Sequence, residues 1–398
     1  MPLAHKYRNV GVLTVCQALF MTGQVMTFIL SGLVGFAIAD DPALATLPLT
    51  AIVIAGMLTT IPASLLMKRI GRRYGFMLAA SFGITGVSLS AYAVLTSDFW
   101  LFCLGNLIYG VYGGSAQYYR FAAAETVEAN FKSRAISWVI SGGVAAAVAG
   151  PELTKLTHGL VDGVPFLGTY LAIAGLTVCA VLLLTLLDIP SPSLEERATS
   201  GRPLAEIATQ PAVIVAVIVA MFGYSVMTLL MTATPLAMTG HGYDISDASF
   251  VIQWHMLAMF APAFITGHVI RNFGVVRVML AGAVMLALAV VAALMGETLV
   301  HFWLAMFALG FGWNFTFIGG STLLTETYEP SERAKVQAMN DFIVFGMVAT
   351  ASLSSGALLH FFDWRAVNMA AIVPITIAGL ASLWLHLKRR AAQAAEAA

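Results

Sequence analysis

Two pairs of side chains at helical spacing could bind a soft metal ion. Met227 and Met231 are four residues apart in one apolar segment, and His255 and Met259 are four residues apart in the next. A spacing of i, i+4 places both members of a pair on one face of a helix. Thioether sulfur and imidazole together are typical ligands of copper(I), whereas ions that prefer oxygen ligands would not select them. These four residues are therefore candidate metal ligands.

The two pairs can lie at the same depth if their segments are consecutive antiparallel helices. At 1.5 Å per residue, Met231 and Met227 lie about 10 and 16 Å from one end of the first helix. By the same rule, His255 and Met259 lie about 12 and 18 Å along the second. Pro235 leaves the carbonyl group of Met231 without its usual partner, as is expected where a helix lines a cavity. The alternative is ordinary packing, with the histidine hydrogen-bonded to a neighbouring carbonyl group.

The composition of the chain indicates a membrane protein. Of its 398 residues, 59% are hydrophobic and 10% are charged, whereas a soluble domain carries about 25% charged residues. The apolar segments are long enough to cross a hydrocarbon core of about 30 Å. The formal net charge is zero, which gives no electrostatic basis for binding nucleic acid. Cys16, Cys103 and Cys179 lie singly in apolar segments, so the sequence supports neither a disulfide framework nor a zinc ribbon.

The apolar segments and their basic flanks predict the membrane topology. If the N-terminus is inside, all but two of the 20 Lys and Arg residues fall on the cytoplasmic side, the exceptions being Lys155 and Arg365. This distribution follows the positive-inside rule and places both termini in the cytoplasm, as in a protein of the bacterial inner membrane. We predict twelve spans, at residues 10–37, 47–67, 75–96, 99–123, 134–156, 166–188, 211–238, 247–270, 274–296, 300–325, 334–360 and 365–387.

The two halves of the chain repeat each other with an offset of about 200 residues. Glu125-Thr126 in AAAETVE matches Glu326-Thr327 in LLTETYE, Val-Met-Thr at 25–27 recurs at 226–228, and Pro-Ala at 62–63 recurs at 262–263. The intervening segment 189–210 is polar and rich in proline and charged residues, and we interpret it as a cytoplasmic linker.

The loop SLLMKRIGRR at 64–73 resembles the signature loop of the major facilitator superfamily, Gly-x-x-x-Asp-Arg-x-Gly-Arg-Arg, with Ser64 and Lys68 replacing the glycine and the acid. Residues 267–277 look like its second copy, again without the acid. The resemblance implies an all-α membrane protein with twelve transmembrane helices in two pseudo-symmetric bundles, 1–188 and 211–398, joined by the linker 189–210. It also implies a secondary transporter with its substrate site between the halves. Because the usual acids are missing, Asp341 with Arg69 or Arg271 is the candidate pair for gating or coupling.

The Met-x-x-x-Met of the seventh span, followed by the His-x-x-x-Met of the eighth, resembles the CcoA-like bacterial copper importers. The resemblance implies that Met227, Met231, His255 and Met259 bind copper as the transported substrate and that no other cofactor is needed. Its implied partners are the copper ion and membrane lipids, and the implied transport unit is a monomer. Met26, Trp254 and Asn314 are additional candidates for lining the path.

Two other functions stay open. A proton-coupled porter of an organic solute or drug would need an aromatic cavity and a titrating carboxylate. Asp341 is the best-placed carboxylate, and Glu152, Glu125 and Glu326 are the others near apolar segments. A membrane receptor or assembly factor would keep the fold without transport. An enzyme is not indicated, because the sequence shows no nucleophile–base set or cofactor loop. The aromatic and amide residues that could line the cavity of a porter are Tyr109, Tyr112, Tyr118, Tyr119, Trp254, Trp313 and Asn314.

Overall fold

The computed structural model describes residues 3–41, 44, 47–190 and 201–397, and within these ranges the regular elements are all helices. The prediction of an all-α protein is therefore confirmed. The first part of the chain forms α1 Leu3–Ile38, α2 Leu47–Ile70, α3 Arg72–Thr96, α4 Phe99–Ala116, α5 Tyr119–Glu125, α6 Lys132–Thr157, α7 Leu167–Leu184 and the short α8 Leu204–Ala208. The remainder forms α9 Pro211–Gly240, α10 Ile245–Phe260, α11 Ala263–Phe273, α12 Val275–Met295, α13 Leu299–Leu324, α14 Arg333–Phe361 and α15 Trp364–Ala397.

Within the described ranges, ten helices are long and apolar enough to cross a membrane, and the bent pair α10–α11 raises this number to eleven. The remaining predicted span, 99–123, is divided between α4 and α5. It breaks at Gln117 and Tyr118, and α4 is only 18 residues long. Asn106, Tyr109 and Tyr112 also place polar groups on α4. The helix exists where the sequence predicts it, but a polar face and a break distinguish it from the other spans.

The same Pro-Ala pair has different effects in the two repeats. Pro62 lies inside the continuous helix α2, whereas Pro262 lies where α10 and α11 meet at an angle of 41°. A proline within a helix removes a backbone donor and bends or breaks the helix unless neighbouring groups compensate. The second repeat has therefore acquired a bend that the first repeat lacks.

Two compact units can be distinguished in the chain. Unit 1 contains Met1–Glu128, Trp138–Ser200 and Arg333–Phe342, and unit 2 contains Ala129–Ser137, Gly201–Glu332 and Ile343–Ala398. Consequently, α6 begins in unit 2 and continues in unit 1, whereas α14 begins in unit 1 and continues in unit 2.

Each unit contains the same close crossing of two helices. In unit 1, a Cβ added to Gly110 of α4 would lie 2.5 Å from the carbonyl oxygen of Ile52 in α2. In unit 2, a Cβ added to Gly310 of α13 would lie 2.6 Å from the carbonyl oxygen of His255 in α10. The loop glycines Gly71 and Gly274 also share a left-handed backbone, with φ of 88° and 86°. The repeat read from the sequence is thus present in the backbone.

The end of the predicted linker is fixed to unit 2. Residues 191–200 of the linker lie outside the described residues. After them, Arg202 contacts Glu332 through its backbone N–H (2.9 Å), Nε (2.8 Å) and Nη2 (2.7 Å). Gly201, with φ of 58°, has no space for a side chain, because an added Cβ would lie 2.4 Å from Cγ of Glu332. The guanidinium of Arg202 lowers the pKa of Glu332 to about 2.

Candidate functional site

The four predicted metal ligands all lie in unit 2. Met227, His255 and Met259 are buried, and Met231 is half-buried. Nδ1 of His255 donates a hydrogen bond to the carbonyl oxygen of Met306 in α13 at 2.7 Å, while Nε2 has no hydrogen-bond partner among the described residues. No hydrogen bond in the described ranges joins any two of the four side chains. Their role as copper ligands stays a prediction.

The position of His255 follows from the helix crossing. Because Gly310 has no side chain, α10 approaches α13 closely enough for the imidazole to reach the Met306 carbonyl group one turn away. In unit 1 the corresponding crossing at Gly110 packs against Ala55 instead. The alternative interpretation, in which a neighbouring carbonyl group satisfies the histidine, therefore holds for Nδ1 of His255. It does not account for Nε2.

The three residues predicted as additional lining have separate roles. Asn314 is buried and bridges the bend between α10 and α11: its Nδ2 donates to the Met259 carbonyl oxygen (2.6 Å), and its Oδ1 accepts from the Thr266 hydroxyl (2.6 Å). Trp254 is 38% exposed, with its ring 5.9 Å from that of Trp303. Met26 is fully buried in α1 of unit 1.

Unit 2 contains a cluster of rings that we call the aromatic box. Trp313 and Phe317 stack at 5.0 Å with an interplanar angle of 18°. Tyr224 meets both rings edge-on, at 5.4 and 5.1 Å, and also contacts Phe345 at 5.6 Å. Phe260 meets Trp313 edge-on at 5.6 Å. The box therefore draws rings from α9, α10, α13 and α14.

The surroundings of the box are apolar and uncharged. Its two main helices, α9 and α13, contain no Asp, Glu, Lys or Arg. Met227 and Met231 follow Tyr224 by three and seven residues, a spacing that places them on the same face of α9. Methionine sulfur packs favourably against aromatic rings. The methionines predicted as metal ligands thus flank a set of rings, of which Trp313 alone was a candidate from the sequence.

A separate apolar cavity of about 250 Å³ lies in unit 2 between α9, α14 and α15. Its walls include Phe222, Val226, Leu229 and Met347. Pockets for drug-sized ligands usually measure about 300–1,000 Å³. The cavity is therefore too small to accept such a solute by itself.

Unit 1 contains a buried set of phenol rings. Tyr109, Tyr112 and Tyr119 are at most 3% exposed. The Tyr109 hydroxyl interacts with Thr27, and the hydroxyl groups of Tyr112 and Tyr119 interact with each other. Tyr118, also a candidate for the organic-solute function, donates instead to the Thr60 carbonyl oxygen at 2.7 Å. Phe20 packs edge-on against Tyr112 at 4.9 Å. These phenol rings therefore belong to the packed interior of unit 1.

The signature loop supplies one arginine to a half-buried carboxylate. Arg72 contacts Glu125 at 2.7 and 3.2 Å and Gln337 at 2.6 Å, and Arg333 lies 3.5 Å from Glu125. Burial opposes ionisation of Glu125, but Arg72 and Arg333 outweigh it and hold the pKa of this carboxyl below its usual value. The Ser64 hydroxyl, which replaces the first glycine of the motif, donates to the Ala334 carbonyl oxygen at 2.7 Å.

Asp341 is paired with a residue other than those expected. Nη2 of Arg120, in α5, donates to Oδ1 of Asp341 at 2.6 Å, and Nδ2 of Asn340 donates to the same oxygen at 2.8 Å. Arg69 and Arg271 are exposed and form no ion pair among the residues that the structure describes. The expectation that a loop arginine would pair with Asp341 is corrected: α5 brings Arg120 to the buried carboxylate, whereas Arg69 and Arg271 point outward.

These features define a polytopic membrane protein with two repeated units, each containing a cluster of aromatic side chains. The family model described as Major Facilitator Superfamily matches residues 13–252 and 216–398, and the chain belongs to this superfamily. The prediction of a secondary transporter is confirmed, and so is the prediction that the protein is not an enzyme.

The relatives of the chain differ from the copper importers that the sequence resembles. The riboflavin transporter RfnT of Brucella anthropi is 41% identical over 389 residues, which cover 97% of this chain and 98% of the relative. A solved structure of a variant of the E. coli fucose:proton symporter FucP has a TM-score of 0.76 at 16% identity, covering 96% of this chain and 99% of that one. The human organic anion transporter MFSD10 has a TM-score of 0.76 at 14% identity, covering 96% and 100%. The two structures confirm the major facilitator fold.

Proposed function

We propose that this protein imports riboflavin, or a closely similar neutral flavin, across the bacterial inner membrane. The observation that carries the proposal is the 41% identity to a riboflavin transporter over nearly the full length of both chains. This relative favours the organic-solute porter over the copper importer. We place both termini in the cytoplasm, as the basic residues predict, and we take a single chain as the transport unit.

The aromatic box supports this choice of substrate. A flavin carries a planar heteroaromatic ring, and aromatic side chains bind such rings by offset stacking and by edge-to-face contact. Stacking of a nucleobase on an aromatic side chain contributes about 1–3 kcal/mol, and a flavin ring offers a larger face. Tyr224 and Phe345 are half-buried, so they form the side of the box that an incoming ring would meet.

The electrostatics of the box also fit a neutral solute. An uncompensated charge in a low-dielectric site is expensive, and α9 and α13 carry no charged residue that could offset one. The ring system of riboflavin is uncharged, and its sugar-derived side chain carries only hydroxyl groups. Transport by alternating access requires such moderate, reversible contacts, since a solute that is bound too tightly would not be released.

Copper import through Met227, Met231, His255 and Met259 is the competing proposal. Nε2 of His255, buried and without a hydrogen-bond partner among the described residues, is the observation in its favour. Against it, the four neutral ligands would leave the charge of the ion uncompensated. Met227 and Met231 share a face of α9 with Tyr224, and packing near aromatic rings is a role for methionine that needs no metal.

Uptake in cells distinguishes the two proposals. Labelled riboflavin is measured in a bacterial strain that cannot make riboflavin and has no flavin importer, and labelled copper is measured in a strain without its copper importer. We expect riboflavin uptake by the wild type, its loss in Tyr224→Ala and its retention in the matched control Tyr92→Ala, which removes a tyrosine of α3 that is 57% exposed. The copper proposal would be favoured instead if the wild type took up copper but no riboflavin, and if Met227→Ala and His255→Ala lost the copper uptake.

A further inference from the structure

We infer that Trp313 recognises the flavin ring by donating its indole N–H to a ring carbonyl oxygen. The inference rests on the proposed function and deepens it, because it names the residue that forms a hydrogen bond with the polar edge of the ring. It goes beyond stacking, which any aromatic side chain could provide.

The indole of Trp313 is buried and held in one orientation. It is 3% exposed, and Nε1 has no hydrogen-bond partner among the described residues. Phe317 stacks on one face at 5.0 Å, while Tyr224 and Phe260 meet it edge-on at 5.4 and 5.6 Å. An indole N–H can only donate, and a buried donor without an acceptor costs free energy until a ligand supplies one.

The depth of Trp313 separates it from other tryptophans with unpaired N–H groups. Nε1 of Trp303 and of Trp364 also lacks a partner in the described ranges. However, Trp303 is four residues from the start of α13 and Trp364 is the first residue of α15. Tryptophan is enriched near the ends of membrane helices, at the level of the lipid headgroups, without any contact to a solute. Trp313 lies 14 residues into α13, or about 21 Å from its start, so an acceptor must come from within the protein or from a ligand.

The neighbouring amide of Asn314 holds the bend between α10 and α11. Asn314 uses Nδ2 for the Met259 carbonyl oxygen and Oδ1 for the Thr266 hydroxyl. It thereby fastens the bend at Pro262 and keeps Phe260, the residue two positions before the proline, beside Trp313. The indole N–H therefore lacks a partner among the residues that the structure describes, while Asn314 positions the rings around it.

The chemistry of the flavin ring matches this donor. Its pyrimidine portion carries two carbonyl oxygens in the plane of the ring, so a ring inserted among aromatic side chains presents them at its edge. A hydrogen bond formed in a dry site strongly rejects an analogue that lacks the matching group, because the donor of the protein is then left unpaired. The geometry points to a neutral, carbonyl-bearing heteroaromatic ring rather than to a simple hydrocarbon ring.

The test is a double-mutant cycle between the protein and the ligand. Riboflavin and its 2-thio and 4-thio analogues, in which a weak acceptor replaces one carbonyl oxygen, are titrated into purified wild type and into Trp313→Phe, with flavin fluorescence as the readout. We expect one thio analogue to bind the wild type about tenfold more weakly than riboflavin. Trp313→Phe should bind riboflavin about tenfold more weakly and should no longer distinguish that analogue.

Trp303→Phe is the matched control, since Trp303 lies on the same helix and also stacks on a phenylalanine four residues further, Phe307, at 5.4 Å. It should keep both the affinity and the discrimination. Equal binding of riboflavin and both thio analogues by the wild type would overturn the inference, even if Trp313→Phe failed to fold. A wild type that binds no riboflavin would instead overturn the proposed function, so the two failures are distinguishable.

Discussion

Arg120 and Asp341 form an ion pair of 2.6 Å in which the side chains are only 3% and 0% exposed. Asp341 lies near the end of the part of α14 that belongs to unit 1, and Arg120 lies near the start of α5. Asn340 donates to the same carboxylate oxygen that Arg120 contacts. Two opposite charges are therefore held together in a dry environment at the point where α14 continues into unit 2.

Removal of one partner of this pair should destabilise the protein strongly. Asp341→Asn leaves the Arg120 charge buried without its carboxylate, which costs about 3–5 kcal/mol in comparable pairs. We expect a clear fall in the melting temperature of the purified protein in detergent. The double variant Arg120→Gln/Asp341→Asn should recover a large part of that loss, because no uncompensated charge remains.

Glu152→Gln is the control for this prediction. Glu152 pairs with Lys155, but the two side chains are 60% and 70% exposed, and exposed pairs contribute little. The melting temperature should not change. A double variant that is as unstable as Asp341→Asn would argue that the pair does not act through its charges.

The close crossing of α10 and α13 should not tolerate a methyl group. Gly310→Ala would place a Cβ 2.6 Å from the His255 carbonyl oxygen, and such overpacking costs about 1–3 kcal/mol. We expect a lower melting temperature. Gly175→Ala in α7 is the matched control, since its Cβ would have no neighbour within 4 Å and alanine has the higher helix propensity. Equal melting temperatures for the two variants would contradict the crossing.

Asn314 should stabilise the bend between α10 and α11. Asn314→Leu removes the donor to the Met259 carbonyl oxygen and the acceptor for the Thr266 hydroxyl. Leaving buried polar groups unpaired costs about 1–3 kcal/mol each. We expect faster hydrogen exchange at residues 259–266 than in the wild type. Unchanged exchange in this segment would show that Pro262 alone sets the bend.

Glu332 should make the stability of the wild type depend on pH in the acid range. Arg202 lowers the pKa of this carboxyl from 4.5 to about 2. The carboxylate therefore stabilises the folded state above the usual pKa, and this contribution is lost as the pH falls through about 5 to 2. The wild type should lose melting temperature over that interval more steeply than Glu332→Gln. Glu326→Gln, which removes an exposed pair with Arg389, should keep the slope of the wild type.

The sequence predicts well those features that depend on local periodicity. Long apolar runs predict the helices. The repeat with its offset of about 200 residues predicts that equivalent glycines share a backbone conformation, and Gly71 and Gly274 both have a positive φ. The extent of α15 is less predictable: it continues to Ala397, ten residues beyond the predicted span, because alanine-rich sequence favours helix even outside the membrane.

Features that depend on distant residues could not be predicted. Pro62 and Pro262 occupy matching positions, yet only Pro262 separates two helices, and the side chain that spans its bend is Asn314, 52 residues further along the chain. The partner of Asp341 is 221 residues away. Of the aromatic box, Trp313 and Phe317 share an i, i+4 spacing that the sequence shows, whereas the rings from α9, α10 and α14 are brought to them by helix packing.

The most direct test of the proposed function is riboflavin uptake by liposomes in which the purified protein is the only protein. We predict saturable uptake of labelled riboflavin that unlabelled riboflavin inhibits and that Tyr224→Ala abolishes, with the Tyr92→Ala control still active. Liposomes that take up no riboflavin but accumulate copper through the wild type, and not through Met227→Ala, would contradict the account.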